Sequence, residues 1–333
     1  MKTNKVLIKT KGGHKEGMGD ITSALALACE FRKYGDEVFF IINNNNSVCQ
    51  LLIDNNFYFK CVEQLDEIEN ILKTYYNLII LIQLNTPIDE GLIYRKYTNI
   101  LVTIDDVGPT ALLANIRINP LYPINNSLSD FQYISLSPIY QKKHKCKRII
   151  KKHISNILVT QGGSDTYGFT PKIVKSLYPI TRNIKLNIIL GPNFRNENQL
   201  IEALRTSQQS FQLIKGTKDL SQYILDADIA ITAGGNTLFE CACLGTPAIV
   251  VCGERFEIGT SKRLEQLGFG IHLGFGDDVE KEKIYCAVSS VINNYELRLK
   301  MSRIGKKIID GLGIERIRKK IHDYSKNDTT QKN

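Results

Sequence analysis

The chain has 333 residues, 43% of them hydrophobic and 23% charged, and a formal net charge of +9. That length points to two domains with material for two cores. The lack of any run of about twenty apolar residues, together with a charged N-terminal strand, speaks against a membrane span or signal peptide. Eight cysteines show no paired CxxC spacing and five histidines form no ligand cluster, so buried thiols of a reducing cytoplasm are expected, with neither disulfides nor a metal site.

Lys5 to Thr10 reads as a strand, followed by a glycine-rich loop, a helix from about Asp20 to Tyr34 ended by Gly35, and a strand Glu37 to Ile42. This is a βαβ unit. Leu78 to Ile82 and Ile100 to Ile104 continue the strand series, the latter running into Asp105-Asp106, a pair that ends the strand and caps the next segment or, facing a cleft, binds hydroxyls. Prolines at 109, 120, 123 and 138 then mark a loop-rich stretch, and the basic segment 141–153 reads as an interdomain linker. Strands come next at 156–160, 186–190, 228–232 and 248–251, separated by helical segments. No solenoid-length repeat is present, and the polar tail 325–333 is expected to be disordered.

The strongest chemical signal is a pair of turns, Gln161-Gly162-Gly163-Ser164-Asp165 and Ala233-Gly234-Gly235-Asn236-Thr237, each placed between an apolar strand and a helix-like run. Glycine lets the backbone approach a ligand, and the first free amides of the following helix point at it, which suits a phosphate. The plainer reading makes Ser164 or Asp165 and Asn236 or Thr237 simple N-caps, with Glu240 the capping-box partner of Thr237. Two such turns in one half-chain favour a nucleotide site.

Basic residues cluster at Lys142 to Arg148 with Lys151 and Lys152, and again from Arg316 to Lys320. Without interleaved aromatics these do not read as a nucleic-acid surface, which leaves an anionic substrate, a peripheral membrane contact or a solvated linker. A nicotinamide site would need Gly-x-Gly-x-x-Gly and an acidic residue ending the second strand. Here Gly17-Met18-Gly19 is followed by Asp20-Ile21-Thr22, and the second strand ends Ile42-Asn43. No Walker-type loop is present either.

Gly17-Met18-Gly19-Asp20 before Leu25-Ala26-Leu27-Ala28, Gly162-Gly163-Ser164-Asp165, and Gly234-Gly235-Asn236-Thr237 through Glu240 to Cys243-Leu244-Gly245-Thr246-Pro247 together resemble the GT-B sugar-nucleotide enzymes, as does Asp310-Gly311-Leu312-Gly313-Ile314-Glu315-Arg316. The nearest branch contains the pseudaminic-acid-pathway UDP-sugar hydrolase and predicted spore-coat polysaccharide glycosyltransferases, and is related to the peptidoglycan N-acetylglucosaminyltransferase. The resemblance is strongest over 156–270 and thin between about 45 and 150. It implies two Rossmann-like α/β domains whose parallel sheets face each other across a cleft. Residues 1–145 form the acceptor and catalytic side, and 154–324 bind the nucleotide sugar.

The resemblance further implies that Gly234 to Thr237 hold the diphosphate, that Gly162, Gly163 and Ser164 line the space beside it, and that Glu240 accepts from ribose hydroxyls. The base lies near Gly191 and Lys215-Gly216. Lys262 or Arg263, read at the start of the helix after Gly259-Thr260-Ser261, either supplies positive charge to the leaving diphosphate or lies on a solvated face of that helix. A nucleotide-diphosphate sugar, with UDP the expected nucleotide, is then the substrate, no cofactor is expected, and the acceptor is lipid-linked or anionic. Gly17 and Gly19 shape the first loop, where the family usually has Gly-x-Gly-His with an arginine three residues on. Here Asp20 and Ser23 stand at those positions. Asp20 replaces the histidine as base, or His14 takes the role with Asp20 orienting it, or Asp20 only caps the helix. Transferase, UDP-sugar hydrolase and an inactive nucleotide-binding protein all remain open at this point.

Overall fold

The computed structural model describes residues 3–331 except 15, 181–182, 208–209 and 218. The chain divides into two units: residues 1–137 with 312–333, and residues 138–311.

Unit 1 runs β1 (Lys5–Thr10), α1 (Gly19–Lys33), β2 (Glu37–Ile42), α2 (Asn46–Asp54), β3 (Tyr58–Cys61), α3 (Leu65–Ile71), β4 (Leu78–Ile82), α4 (Ile88–Lys96), β5 (Leu101–Ile104) and β6 (Ile116–Ile118). Unit 2 runs α5 (Pro138–His144), β7 (Asn156–Thr160), α6 (Phe169–Ser176), β8 (Lys185–Leu190), α7 (Glu197–Arg205), β9 (Phe211–Lys215), α8 (Leu220–Asp226), β10 (Ile229–Thr232), α9 (Asn236–Leu244), β11 (Ala248–Cys252), α10 (Glu257–Gln266), β12 (Ile271–Phe275), α11 (Lys281–Asn293) and α12 (Tyr295–Ile308). The last helix, α13 (Gly313–Gln331), returns to unit 1.

Both sheets have six strands, in the orders β3-β2-β1-β4-β5-β6 and β9-β8-β7-β10-β11-β12. Every strand pairing in them is parallel. Parallel sheets are covered on both faces, which is why β4, β5, β10 and β11 are buried along their whole length. In unit 1 one face packs Val6, Ile8, Ile80 and Val102 against α1 and against Ile314, Ile317 and Ile321 of α13. The other face packs Leu7, Leu81 and Leu101 with Ile68 of α3 and Tyr94 of α4.

The expected strands all form within a residue or so of the positions read from sequence. The domain boundaries need correction. Segment 141–153 is not a linker but part of unit 2. Its Arg148 guanidinium donates to the carbonyls of Leu225 and Ala227 at the end of α8, His144 Nδ1 lies 2.8 Å from the Cys243 carbonyl, and Lys306 donates to the Cys146 carbonyl at 2.9 Å. The end of the chain belongs to unit 1, not to a C-terminal domain 154–324. Ile314, Ile317 and Ile321 recur at helical spacing and give α13 an apolar face for α1, while Arg318 lies against Glu30 and over the Tyr34 ring. The tail expected to be disordered is helical through Gln331, and residues 332–333 lie outside the described residues.

Candidate functional site

The first loop of unit 1 is a tight hairpin. Gly13 N–H donates to the Gly17 carbonyl at 2.9 Å, and the Asn43 side chain, just past β2, bonds both N–H and C=O of Gly12 at 3.0 and 2.8 Å. Gly17, at φ +76°, turns the chain into α1. His14 lies half-buried in this hairpin. Gly19 is the first residue of α1, and the N-cap is Met18 with no side-chain cap, so the capping reading of Asp20 is corrected: its carboxylate sits inside the first turn. Burial pushes the Asp20 carboxyl up to about 7, against a smaller opposing pull from Lys11. A carboxylate that titrates near neutrality at the positive end of a helix is chemically able to take a proton from a hydroxyl.

Asp105 and Asp106 serve structure. Asp105, at φ +54°, accepts from Leu121 N–H at 2.9 Å, and buried Asp106 accepts from Thr86 and Gly108 N–H at 3.1 and 2.7 Å.

In unit 2 the two glycine turns differ. After β7, Gly162 takes φ +71° and the Gly163 carbonyl accepts from Asn193 N–H at 3.0 Å. Gly191 approaches so closely that a Cβ on it would lie 2.3 Å from that carbonyl. The helix does not open at Ser164, which is buried in the loop, but at Phe169. Asp165 reaches forward to seal its N-terminus, accepting from Phe169 and Thr170 N–H at 2.7 and 2.9 Å. The expected anion site at this helix is therefore occupied by the chain's own carboxylate.

After β10 the turn does open a helix directly. Gly235 is the N-cap of α9, with Asn236 and Thr237 in its first turn and no side-chain cap, which corrects both the Asn236 or Thr237 cap and the Thr237–Glu240 capping box. Gly234 N–H donates to Glu257 Oε2 at 2.9 Å, and the same oxygen takes Gly253 N–H at 2.8 Å and Glu254 N–H at 3.3 Å. Three converging amides holding one oxyanion form an anion nest. Desolvation nonetheless pushes the Glu257 carboxyl up to about 7, the three amides opposing it. Sequence reasoning missed Glu257, because the nest joins loops that follow two different strands.

Glu240 lies one turn past Thr237 on α9 and is buried. Desolvation raises its carboxyl to about 7, partly offset by a hydrogen bond from Tyr140 of α5, and its Oε2 has no hydrogen-bond partner. Lys262 and Arg263 lie within α10, which begins at Glu257, so Gly259-Thr260-Ser261 is helix interior and not the loop before a helix.

The loops at the carboxyl edge of this sheet are interlocked, with Glu254 accepting from Thr166 and Tyr167 and thereby tying the loop after β11 to the one after β7. Among the described residues no group of three or more His, Cys, Asp or Glu is placed to hold a metal ion, and no helix is long and apolar enough to cross a membrane.

Residues 156–259, which span both turns and Glu240, match the glycosyltransferase family 28 C-terminal domain. The spore coat polysaccharide biosynthesis protein SpsG of Bacillus subtilis is 28% identical over 187 residues, 56% of this chain and 55% of that protein. The chain spans about half the length of the curated relatives it matches. Among solved structures, MurG of Acinetobacter baumannii superposes with a TM-score of 0.64 at 15% identity, covering 96% of this chain and 99% of that one. The UDP-GlcNAc 2-epimerase of Neisseria meningitidis, bound to UDP-GlcNAc, gives 0.62 at 14% identity, covering 96% and 100%. The fold is that of the GT-B enzymes, and the resemblance to GT-B sugar-nucleotide enzymes read from sequence is borne out.

Proposed function

We propose that this protein is a glycosyltransferase that cleaves the anomeric C–O bond of a UDP-sugar and transfers the sugar, with inversion and without a catalytic metal, to a hydroxyl acceptor in surface-glycan synthesis. The observation that carries the reading is the amide nest at the carboxyl end of β10, where Gly234, Gly253 and Glu254 N–H already converge on a carboxylate oxygen beside the open N-terminus of α9. Once Glu257 is displaced from them, amides and a helix dipole arranged in this way stabilise the charge that develops on a departing diphosphate. Glu240, with one oxygen held by Tyr140 and one unpartnered, is suited to accept from the ribose diol. In the transfer the acceptor oxygen bonds to the anomeric carbon as the diphosphate leaves with the bonding pair, and Asp20 of unit 1, with its carboxyl raised to about 7, is the candidate base for the hydroxyl proton.

The acceptor in this reading is lipid-linked or anionic. The test is thermal stability against UDP, CMP, GDP, dTDP and NAD, followed by product analysis with the UDP-sugar that binds. A nucleotide at a hundredfold its Kd stabilises by about 2.7 kcal/mol. Stabilisation by one diphosphate, lost in Glu240→Ala, supports the donor site. Free sugar released without any acceptor would make the protein a UDP-sugar hydrolase, and binding with neither transfer nor hydrolysis would make it a binding protein. No stabilisation by any diphosphate removes the reading.

A further inference from the structure

Buried polar atoms without a hydrogen-bond partner are costly, because each has given up water for nothing. In unit 2 two residues at the carboxyl edge of the sheet carry such atoms, Gln161 with Nε2 and Oε1 after β7 and Thr232 with Oγ1 at the end of β10; others lie elsewhere, at Glu240 Oε2 within α9, Arg148 Nε and Arg298 Nε. Gln161 stands out, since it is 6% exposed and both its donor and its acceptor are unpartnered. Thr160 pairs in register with Thr232, so Gln161 is level with Ala233 on the neighbouring strand, one residue before Gly234 of the nest. Adjacent strands lie about 4.8 Å apart. The residue that carries the carboxamide therefore stands beside the strand end that leads into the amides assigned to the diphosphate.

We infer that Gln161 is a donor-recognition residue that bridges the nucleotide sugar, Nε2–H donating to a diphosphate oxygen and Oε1 accepting from a hydroxyl of the attached sugar. The inference rests on the donor-site reading above. The division of roles follows from chemistry: a diphosphate offers only acceptors, so it satisfies Nε2 and leaves Oε1 orphaned, whereas a sugar hydroxyl beside it supplies the missing donor. Free UDP lacks that hydroxyl. Gln161 thus favours the intact sugar nucleotide over the spent nucleotide, which assists product release.

The test compares wild type with Gln161→Met, a side chain of similar length and shape without the amide. Binding of UDP and of UDP-N-acetylglucosamine is followed by calorimetry and thermal stability, with other UDP-sugars substituted if one stabilises wild type more. The expected result is a loss of about tenfold to a hundredfold in affinity for the UDP-sugar and a distinctly smaller loss for UDP. The ligand-free melting temperature is expected to stay unchanged or rise, because an unsatisfied amide has been removed. Equal losses for UDP and UDP-sugar, or none for either, overturn the inference, the second outcome meaning that ordered water fills the place. A ligand-free variant that melts well below wild type, with Gln161→Leu doing the same, also overturns it by showing that the amide is partnered in the empty protein. If wild type binds neither ligand, the donor-site reading itself has failed, a result distinguishable from all of these.

Discussion

Glu257 occupies the nest assigned to the diphosphate, and its replacement by Gln tests whether carboxylate and phosphate compete for the same amides. The side chain keeps an oxygen for Gly234, Gly253 and Glu254 N–H but loses its charge. A carboxyl moved from 4.5 to about 7 has its charged form disfavoured by about 3 kcal/mol. An ionised Glu257 within about 4 Å of a phosphate would add a repulsion of up to about 4 kcal/mol at a surface-like dielectric, reduced by solvent at this half-buried position. Tightening of about tenfold to a hundredfold is therefore expected for Glu257→Gln at pH 8. At pH 6 wild-type Glu257 is mostly protonated, and the two proteins should bind alike. Isothermal titration with a UDP-sugar is the assay, since its diphosphate diester keeps a constant charge over that range. The nearby Glu254 and the similarly raised Glu240 and Asp20 titrate in both proteins, so the difference between them isolates Glu257. Equal affinities at pH 8, or parallel pH profiles, would refute the competition.

Asp20→Asn should lower turnover by about a hundredfold or more with donor Kd unchanged, and the wild-type rate should rise through about pH 7 as Asp20 ionises; a variant that retains its rate removes Asp20 from the chemistry. Glu240 keeps its proton in the folded state between 4.5 and about 7, where the unfolded chain has lost it, so the stability it contributes falls as pH rises through that window. Urea melts should accordingly show Glu240→Gln more stable than wild type by about 1–3 kcal/mol at pH 8 and equal to it near pH 4.5, and a constant difference across pH would contradict the burial argument. Arg298 is 1% exposed and donates to the carbonyls of Val291, Ile292, Lys151 and Lys152 at 2.6–2.9 Å. Arg298→Met leaves those carbonyls without their partner and should cost about 3 kcal/mol or more, read as a lowered denaturation midpoint.

The strands were legible in the sequence where both faces are buried, because an uninterrupted run such as Ile229-Ala230-Ile231-Thr232 has few other readings. The edge strands β3, β6, β9 and β12 were not, since Tyr58–Cys61 and Phe211–Lys215 are largely exposed and carry polar residues among the apolar ones. The return of α13 to unit 1 was hidden for a different reason. Its isoleucine spacing marks a helix face but does not say which domain that face covers. In the site, local signals matched the structure where geometry depends on neighbouring residues, as in the glycine turn that opens α9 at Gly235. They failed where it depends on contacts between loops: Asp165 sealing a helix four residues on, Tyr140 on Glu240, and Glu257 in the nest.

The two sheets share one strand order, third-second-first-fourth-fifth-sixth, so each has a switch point between its first and fourth strands, β1 and β4 in one unit and β7 and β10 in the other. Loops on either side of such a point diverge to opposite faces and leave a crevice that neither strand covers. Gln161 follows β7 and Gly234 follows β10, so the unpartnered carboxamide and the amide nest flank the switch point of unit 2. Gly12 to Asp20 follow β1 at the switch point of unit 1. A residue retained only for packing has no reason to respect that position. In the donor-site reading, the crevice that this topology leaves open is where the Gln161 carboxamide and the Thr232 hydroxyl would find a ligand to satisfy them.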